Sequence, residues 1–535
     1  MADFNDQQLQ VILSESPRIM CLAGAGAGKT RTLLGRITHL IEIGVDPTSI
    51  LALTFTNAAA FEMKERYKRL GIDLSRGVPE FRTFHSFCYS LIIKDKSVRE
   101  KLGYTQIPQV CDDDEFKEIK TRIKLQLNSK LTEEQMEGKN LYTRAQQDQY
   151  ALFKKALIKE LKAQNVITFD IMCYNVCELF ERGFEEVQKY KDRYKYLFVD
   201  EYQDCDARQN KFVISFPETT NIALYADALQ NIYQFRDCTN KYVKEFAEDP
   251  SWEVIKLYEN YRSTTNICDF ANKLSKSYSS DKYRIEMHGQ RPGQDPKIIW
   301  GSHATMTEPV DTYHLSLLVD MIKQNPGECA VLCRSNREVA AVRRALTDNE
   351  IQFSTKSKST DNLSILESAL SNEYAFGWLA SKLEAKDYGD YIRLSALADK
   401  PDLHWFLDNY GNREVIRKIT EKISCIRTIA TSDFTQREKF DMITKELRVK
   451  TKCKFNGDDN ISNRDLINDI KNQVQSLEEC DVYCGTIHSV KGLEYDTVYV
   501  MGVDDRFFRL DSEEMYNLYY VAITRPREHL VVFRR

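Results

Sequence analysis

Arg18-Ile-Met-Cys-Leu-Ala-Gly-Ala-Gly-Ala-Gly-Lys-Thr30 runs from an apolar stretch into a glycine-rich loop that closes on Lys-Thr. Arg18 to Leu22 reads as a short buried strand. A helix is expected after the loop, with apolar residues at Leu33, Leu34, Ile37, Leu40 and Ile41 and with Gly44 past its end. Between the two, the glycines let backbone N–H groups turn inward, and the start of the helix favours negative charge. Ala23, Gly24, Ala25, Gly26, Ala27 and Gly28 therefore read as a phosphate cradle. Lys29 would reach the β- and γ-phosphates, and the Thr30 hydroxyl would ligate Mg²⁺. A glycine-rich turn ahead of a helix is the bland alternative, and the flanking strand and helix argue against it.

Working outward, Ile50 to Phe55, Tyr196 to Val199 and Ile222 to Tyr225 read as further short apolar strands, and a helix through Arg66 follows the first of them. Strands of this kind alternating with helices indicate an α/β fold with a parallel sheet. A second set appears at Lys297 to Trp300, Cys329 to Cys333, Thr497 to Met501 and Leu530 to Phe533. Each set is interrupted by a polar stretch rich in helix formers. The expected organisation is a first α/β domain from 1–85 and 196–275 with a helical insertion at 86–195. A second follows from 276–360 and 478–535, with its own mostly helical insertion at 361–477. A chain of 535 residues is too long for one core, which agrees with several domains.

Leu197-Phe-Val-Asp-Glu-Tyr-Gln-Asp204 supplies the other half of the nucleotide site. Asp200 ends an apolar strand, and the carboxyl ends of strands are where open α/β sheets bind ligands. Asp200 would hold Mg²⁺ directly or through water, and Glu201 beside it could polarise an attacking water. The competing reading is a pair of solvated turn carboxylates, weak for a pair that ends a buried strand in a chain with a phosphate loop.

Asp-Glu-Tyr-Gln-Asp resembles motif II of the UvrD/Rep/PcrA family of superfamily 1 DNA helicases, and the loop at Ala23 resembles its motif I. Other motifs follow in that family's order. They are Phe4-Asn-Asp-Gln-Gln8, Leu53-Thr-Phe-Thr-Asn57, Thr83-Phe-His-Ser86, Ala226 to Arg236, Asn260-Tyr-Arg-Ser263, Thr486 to Glu494 and Tyr520 to Arg525. The resemblance implies two RecA-like motor domains that hydrolyse ATP with Mg²⁺ between them and move 3′-to-5′ along single-stranded DNA or at a single-strand/duplex junction. It implies that Gln8 reads adenine, Tyr261 stacks on it with Arg36 nearby, and Glu494 approaches the ribose. It also makes Gln230 a γ-phosphate contact, and Arg262 and Arg525 arginine fingers. A finger is worth about 10³–10⁵ in rate, and one supplied from a second domain makes hydrolysis depend on closure. Taken singly, each arginine reads more readily as a surface ion pair. The sequence departs from the family at Ala58, where a lysine is usual, and at Ala226, Ala228 and Leu229.

A track that moves along a strand without reading sequence should use base faces, and stacking is worth about 1–3 kcal/mol per base. Phe55, Tyr233 and Phe235 are the candidate stacking groups. Thr56, Asn57, His85, Arg236, Thr486 and His488 are candidate backbone contacts. Core packing competes for Phe55 at its strand end. A solvated helix face is the stronger reading of Lys154, Lys155, Lys159 and Lys162.

The bulk numbers fit an ordinary globular chain, with 42% hydrophobic and 29% charged residues. A net charge of −5 argues mildly against a protein that coats nucleic acid without specificity, although a basic channel can lie inside an acidic shell. No stretch approaches the roughly 20 apolar residues of a membrane span, and no secretory leader is recognisable, so a cytoplasmic location is expected. The 14 cysteines are scattered, and the repeated spacing of four (Cys173/Cys177, Cys329/Cys333, Cys480/Cys484) is not that of a zinc ribbon. They read as small buried hydrophobes. A second functional reading makes the chain a nucleic-acid-sensing ATPase that regulates a partner, such as a nuclease, in a repair or phage-defence complex. A small-molecule kinase would leave Gln230, the aromatics and Arg525 without a role.

Overall fold

A computed structural model describes residues 4–70, 75, 77–111, 113–232, 240–279, 283–301, 309–325, 327–354, 481–504 and 508–534, with scattered positions between 425 and 470. Tyr233, Phe235 and Arg236, and nearly all of the expected 361–477 insertion, lie outside them.

Two parallel sheets organise the chain. The first has six strands: β1 (Arg18–Ala23), β2 (Ile50–Thr54), β3 (Glu80–Thr83), β4 (Tyr196–Val199), β5 (Asn221–Ala226) and β6 (Glu253–Leu257). They lie in the order β3-β2-β4-β5-β1-β6, and every pairing is parallel. The second has five: β7 (Lys297–Trp300), β8 (Cys329–Cys333), β9 (Val482–Thr486), β10 (Tyr495–Val503) and β11 (Pro526–Arg534). Their order is β7-β11-β10-β8-β9, again all parallel. Central strands are buried on both faces, as β2 and β8 are along their whole length. That is why they read as unbroken apolar runs.

Helices cover both faces of the first sheet. On one side α2 (Lys29–Glu42) and α3 (Asn57–Arg69) share a core of Leu33, Ile37, Ile50, Phe198 and Tyr225. On the other side α4 (Phe84–Lys94) meets two later helices, α7 (Phe169–Glu181) and α8 (Ala207–Ile214), around Phe87, Phe180 and Phe212. A short α1 (Asp6–Leu13) lies before β1. Between β3 and β4 the chain is mostly helical. There α5 (Asp113–Gln126) and α6 (Arg144–Ala163) bury Ile119, Ile123, Phe153 and Leu157 in a small core of their own. The second sheet is flanked by α9 (Thr265–Tyr278), α10 (Asn336–Asp348) and α11 (Glu513–Ile523). Among the described residues, no helix is long and apolar enough to cross a membrane.

One apolar cluster crosses the seam between the sheets. Ala25, Leu229 and Ile232 from loops of the first sheet pack in a single buried group with Ile487, Leu518 and Tyr520 of the second. The lobes thus meet over the loops at the carboxyl ends of β1 and β5.

Candidate active site between the two sheets

The loop after β1 is shaped by backbone that only glycine tolerates well. Gly26 has φ +67°, and a Cβ there would stand 2.8 Å from the Cβ of Arg262 and 2.9 Å from Asn260 Oδ1. Gly28 has φ +78° and caps α2 in the left-handed conformation, with no side chain bonded to the first N–H groups. Those donors are the ones a phosphate would engage at a helix start. Ala23, Ala25 and Ala27 are buried beneath the loop, and Gly24 lies against Met287 and Ile285.

Lys29 is 9% exposed and opens α2. Thr30 Oγ1 donates to Asp200 Oδ2 at 2.8 Å, so the two expected magnesium ligands already meet. Burial, and then the neighbouring Glu201, push the Asp200 carboxyl up to about 6, against the pull of Lys29. A buried carboxylate short of positive charge is what a site for a divalent cation offers, and Thr30 and Asp200 present hard oxygen atoms of the kind such an ion takes. Glu201 behaves in the opposite way. Burial acts to raise it, but Lys29, Lys491, Gln203 and Arg525 together hold it below the usual carboxylate range. It stays ionised, as a group that must accept hydrogen bonds from water should. Its φ of +53° is a left-handed conformation unusual for glutamate. The Gln203 amide, which donates to Glu201 Oε2, holds the side chain there.

Gln230 joins the lobes. Its Nε2 donates to Asp227 Oδ2 at 2.8 Å, and its Oε1 accepts from Arg525 Nη2 at 3.1 Å. Arg525 comes from the end of α11 in the second lobe and is 1% exposed. Its Nε donates to Val521 O at 2.9 Å. Burial and the like charge of Arg262 lower its guanidinium, against the pull of Glu201 and Asp227. Arg262 makes a second bridge: Nε donates to Glu494 Oε2 at 2.8 Å and Nη1 to Thr524 O at 3.2 Å. Both expected fingers thus lie at the seam, close enough for the charge of one to act on the other, with buried Asp200 and half-buried Glu201 on the first lobe's side.

Sequence reasoning missed two residues here. Lys491 Nζ donates to Asp204 Oδ1 at 2.7 Å and to Gln230 O at 2.7 Å, tying the lobes directly behind Gln230. The motif Val-Lys-Gly-Leu-Glu494 contains it, but nothing in the spacing says which carboxylate it meets. Arg31 is the other, with its guanidinium 5.0 Å over the ring of Phe4.

At the mouth, Asn5 caps α1 and shares a capping box with Gln8. Gln8 Oε1 accepts from Asn5 N, and Nε2 donates to Ala27 O at 3.1 Å, so the amide is fixed against the phosphate loop. Tyr261 is 48% exposed, its N–H donates to Gly26 O, and its hydroxyl accepts from Asn5 Nδ2 at 2.7 Å. Arg36 does not share this rim. It is buried, and its Nη1 donates to the carbonyls of Val11, Ile12 and Ser14, which the end of α1 leaves without helical partners. It anchors the helix that carries Gln8.

The strand-binding candidates lie on loops at the carboxyl ends of β2, β3 and β9. Phe55 is half-buried and packs on Phe84, with ring centroids 5.7 Å apart. Thr56 Oγ1 accepts from Ala59 N, capping α3, and Asn57 is the first residue of that helix. His85 sits in the first turn of α4, with its ring edge-on to exposed Phe169 at 6.2 Å. Thr486 ends β9. His488 follows in a short turn, and burial, Arg334 and Lys491 hold its imidazole down to about 4, against a bond to the Ile232 backbone. It is neutral at physiological pH and touches the segment that leads from Gln230 toward Tyr233.

The family models match this arrangement along the chain. Residues 4–251 match the UvrD/REP helicase N-terminal domain, and residues 255–360 and 408–534 match the UvrD-like helicase C-terminal domain. The chain belongs to the UvrD/REP helicase family. Similar relatives include the ATP-dependent DNA helicase PcrA of Staphylococcus epidermidis strain RP62A, 26% identical over 99% of this chain and 83% of the relative. Its namesake in Staphylococcus aureus strain Mu50 is 25% identical over 99% and 82%. The alignment with the former runs over 629 positions, longer than the 535-residue chain, so this UvrD-family protein is shorter than that relative within the matched span.

Proposed function

We propose that this helicase is a 3′-to-5′ translocase on single-stranded DNA, driven by ATP hydrolysed at the seam between its two lobes. The observation that carries the reading is the contact of Arg525 with Gln230. An arginine from one lobe and a glutamine from the other meet beside buried Asp200 and half-buried Glu201. The phosphate loop, Lys29 and the start of α2 would bind the triphosphate, with Gln8 and Tyr261 on the base side. Thr30 and Asp200 would hold Mg²⁺, which neutralises phosphate charge when bound. Glu201, ionised and fixed by Gln203, would orient and polarise the attacking water. Arg525 and Arg262 would leave Gln230 and Glu494 for the charge that develops on the transferring group. Glu494 would then be open to the ribose. Because Arg525 comes with the second lobe, hydrolysis would require the lobes to be together. Phe55, Thr56, Asn57, His85, Thr486 and His488 would line the strand path, and Tyr233, Phe235 and Arg236 would continue it.

A shorter chain within the matched span supports a second reading: an ATPase that senses DNA and acts through a nuclease or repair protein. The test is strand displacement on a duplex with a single 3′ or 5′ tail, run beside ATPase with and without single-stranded DNA. The translocase reading expects displacement from the 3′-tailed substrate and loss of stimulated ATPase in Glu201→Gln. Stimulated ATPase with no displacement from either tail would favour the regulator instead.

A further inference from the structure

Three cysteine thiols from two helices meet in the core of the first lobe. Cys88 lies on α4, and Cys173 and Cys177 lie one turn apart on α7. Cys88 Sγ is 3.9 Å from Cys173 Sγ, and Cys173 Sγ is 3.9 Å from Cys177 Sγ. All three sulfurs lie within 4.8 Å of one another, and among the described residues they form the one such group of potential metal ligands. The spacing of four placed Cys173 and Cys177 together, but Cys88 arrives only through the packing of α4 on α7.

We propose that Cys88, Cys173 and Cys177 form a three-thiolate site for a thiophilic monovalent cation, Cu(I). With metal–sulfur bonds of about 2.3 Å, a trigonal arrangement sets sulfurs about 4.0 Å apart, and two of the three pairs already stand at 3.9 Å with the third within 4.8 Å. Structural zinc takes four ligands, and the cluster supplies three. An open zinc position would need water, but the shell here is apolar, with Phe87, Phe180 and Phe212 in the same core. Soft thiolates with no fourth donor favour Cu(I). On binding, three S–H protons leave to solvent and the site carries a net charge of −2. Arg208 acts on Cys173 with positive charge and Asp206 on Cys177 with negative, so Arg208 is the local compensation. Cys173, at 7% exposure, is the least covered of the three and gives the way in. An ion here would tie α7 to α4, which carries His85 in its first turn.

The test titrates the full-length protein anaerobically with Cu(I) buffered by a chromogenic chelator. One tightly held equivalent per chain is expected in wild type, together with a higher melting temperature. The equivalent should persist in Cys329→Ser/Cys333→Ser and be lost in Cys88→Ser/Cys173→Ser/Cys177→Ser. Because the triple variant could misfold, Cys177→Ala and X-ray absorption of the loaded wild type accompany it. Three sulfur neighbours at copper, and weaker uptake in the folded single variant, would support the site. No tight equivalent in wild type, equal uptake in folded Cys177→Ala, or nitrogen ligands at copper would overturn it and leave three packed thiols.

Discussion

Asp200 shows how a single buried charge records what the site is for. Its carboxyl is raised from 3.8 to about 6, first by burial and then by Glu201. The native state therefore binds a proton that the unfolded chain does not between those two pH values. Stability from this group rises as pH falls through 6, and above 6 the ionised form costs stability. Removing the charge should help the metal-free protein. Asp200→Asn is expected to gain about 2–3 kcal/mol at pH 8 and about half of that at pH 5, read by urea unfolding in the presence of a chelator. An equal gain at both pH values would contradict the linkage. Lys491 and Asp204 offer the complementary case, with both side chains at or below 10% exposure. Lys491→Met leaves Asp204 buried without its partner and should cost about 3–5 kcal/mol. Adding Asp204→Asn should recover most of that in thermal unfolding. A double variant no more stable than the single would mean that the pair is not the cause.

At the scale of elements, the loop between β1 and α2 is the most constrained piece of backbone. A methyl group at Gly26 meets Arg262 and Asn260 and needs a φ that alanine adopts at about 1–2 kcal/mol. Gly26→Ala should therefore weaken binding of a fluorescent ATP analogue by at least about tenfold and also lower the melting temperature. Wild-type affinity would show that the loop does not need this shape. This loop was legible in the sequence because the chemistry of phosphate binding and the strand–helix context sit in thirteen contiguous residues, Arg18 to Thr30. The strands that escaped sequence reading are β3, β6 and β9. Two are edge strands of the first sheet and carry Glu80, Arg82, Glu253 and Lys256, so they lack the unbroken apolar run of a central strand. β9, with Gly485 in it, is an edge strand of the second sheet. Arg36 misled for a different reason: its guanidinium points back along α2 to the end of α1, a direction that sequence spacing does not encode. The partners of Lys491 and Cys88 were illegible because both depend on packing between elements far apart in the chain.

At the scale of the molecule, the account rests on the seam. An apolar group containing Ala25, Leu229 and Tyr520 holds the lobes together. Around it, Arg525–Gln230, Lys491–Asp204 and Arg262–Glu494 gather the polar groups that hydrolysis would need. A lobe that brings its own arginine can report closure to the nucleotide, and a strand lying over both lobes can favour closure. The measurement that tests this most directly is ATP turnover by Arg525→Ala with saturating single-stranded DNA, set beside the affinity of the same variant for ATP. The account predicts a fall in turnover of about 10³-fold or more, with ATP still bound by the first lobe. Turnover at the wild-type rate would contradict it, because the catalytic centre would then be complete without the second lobe.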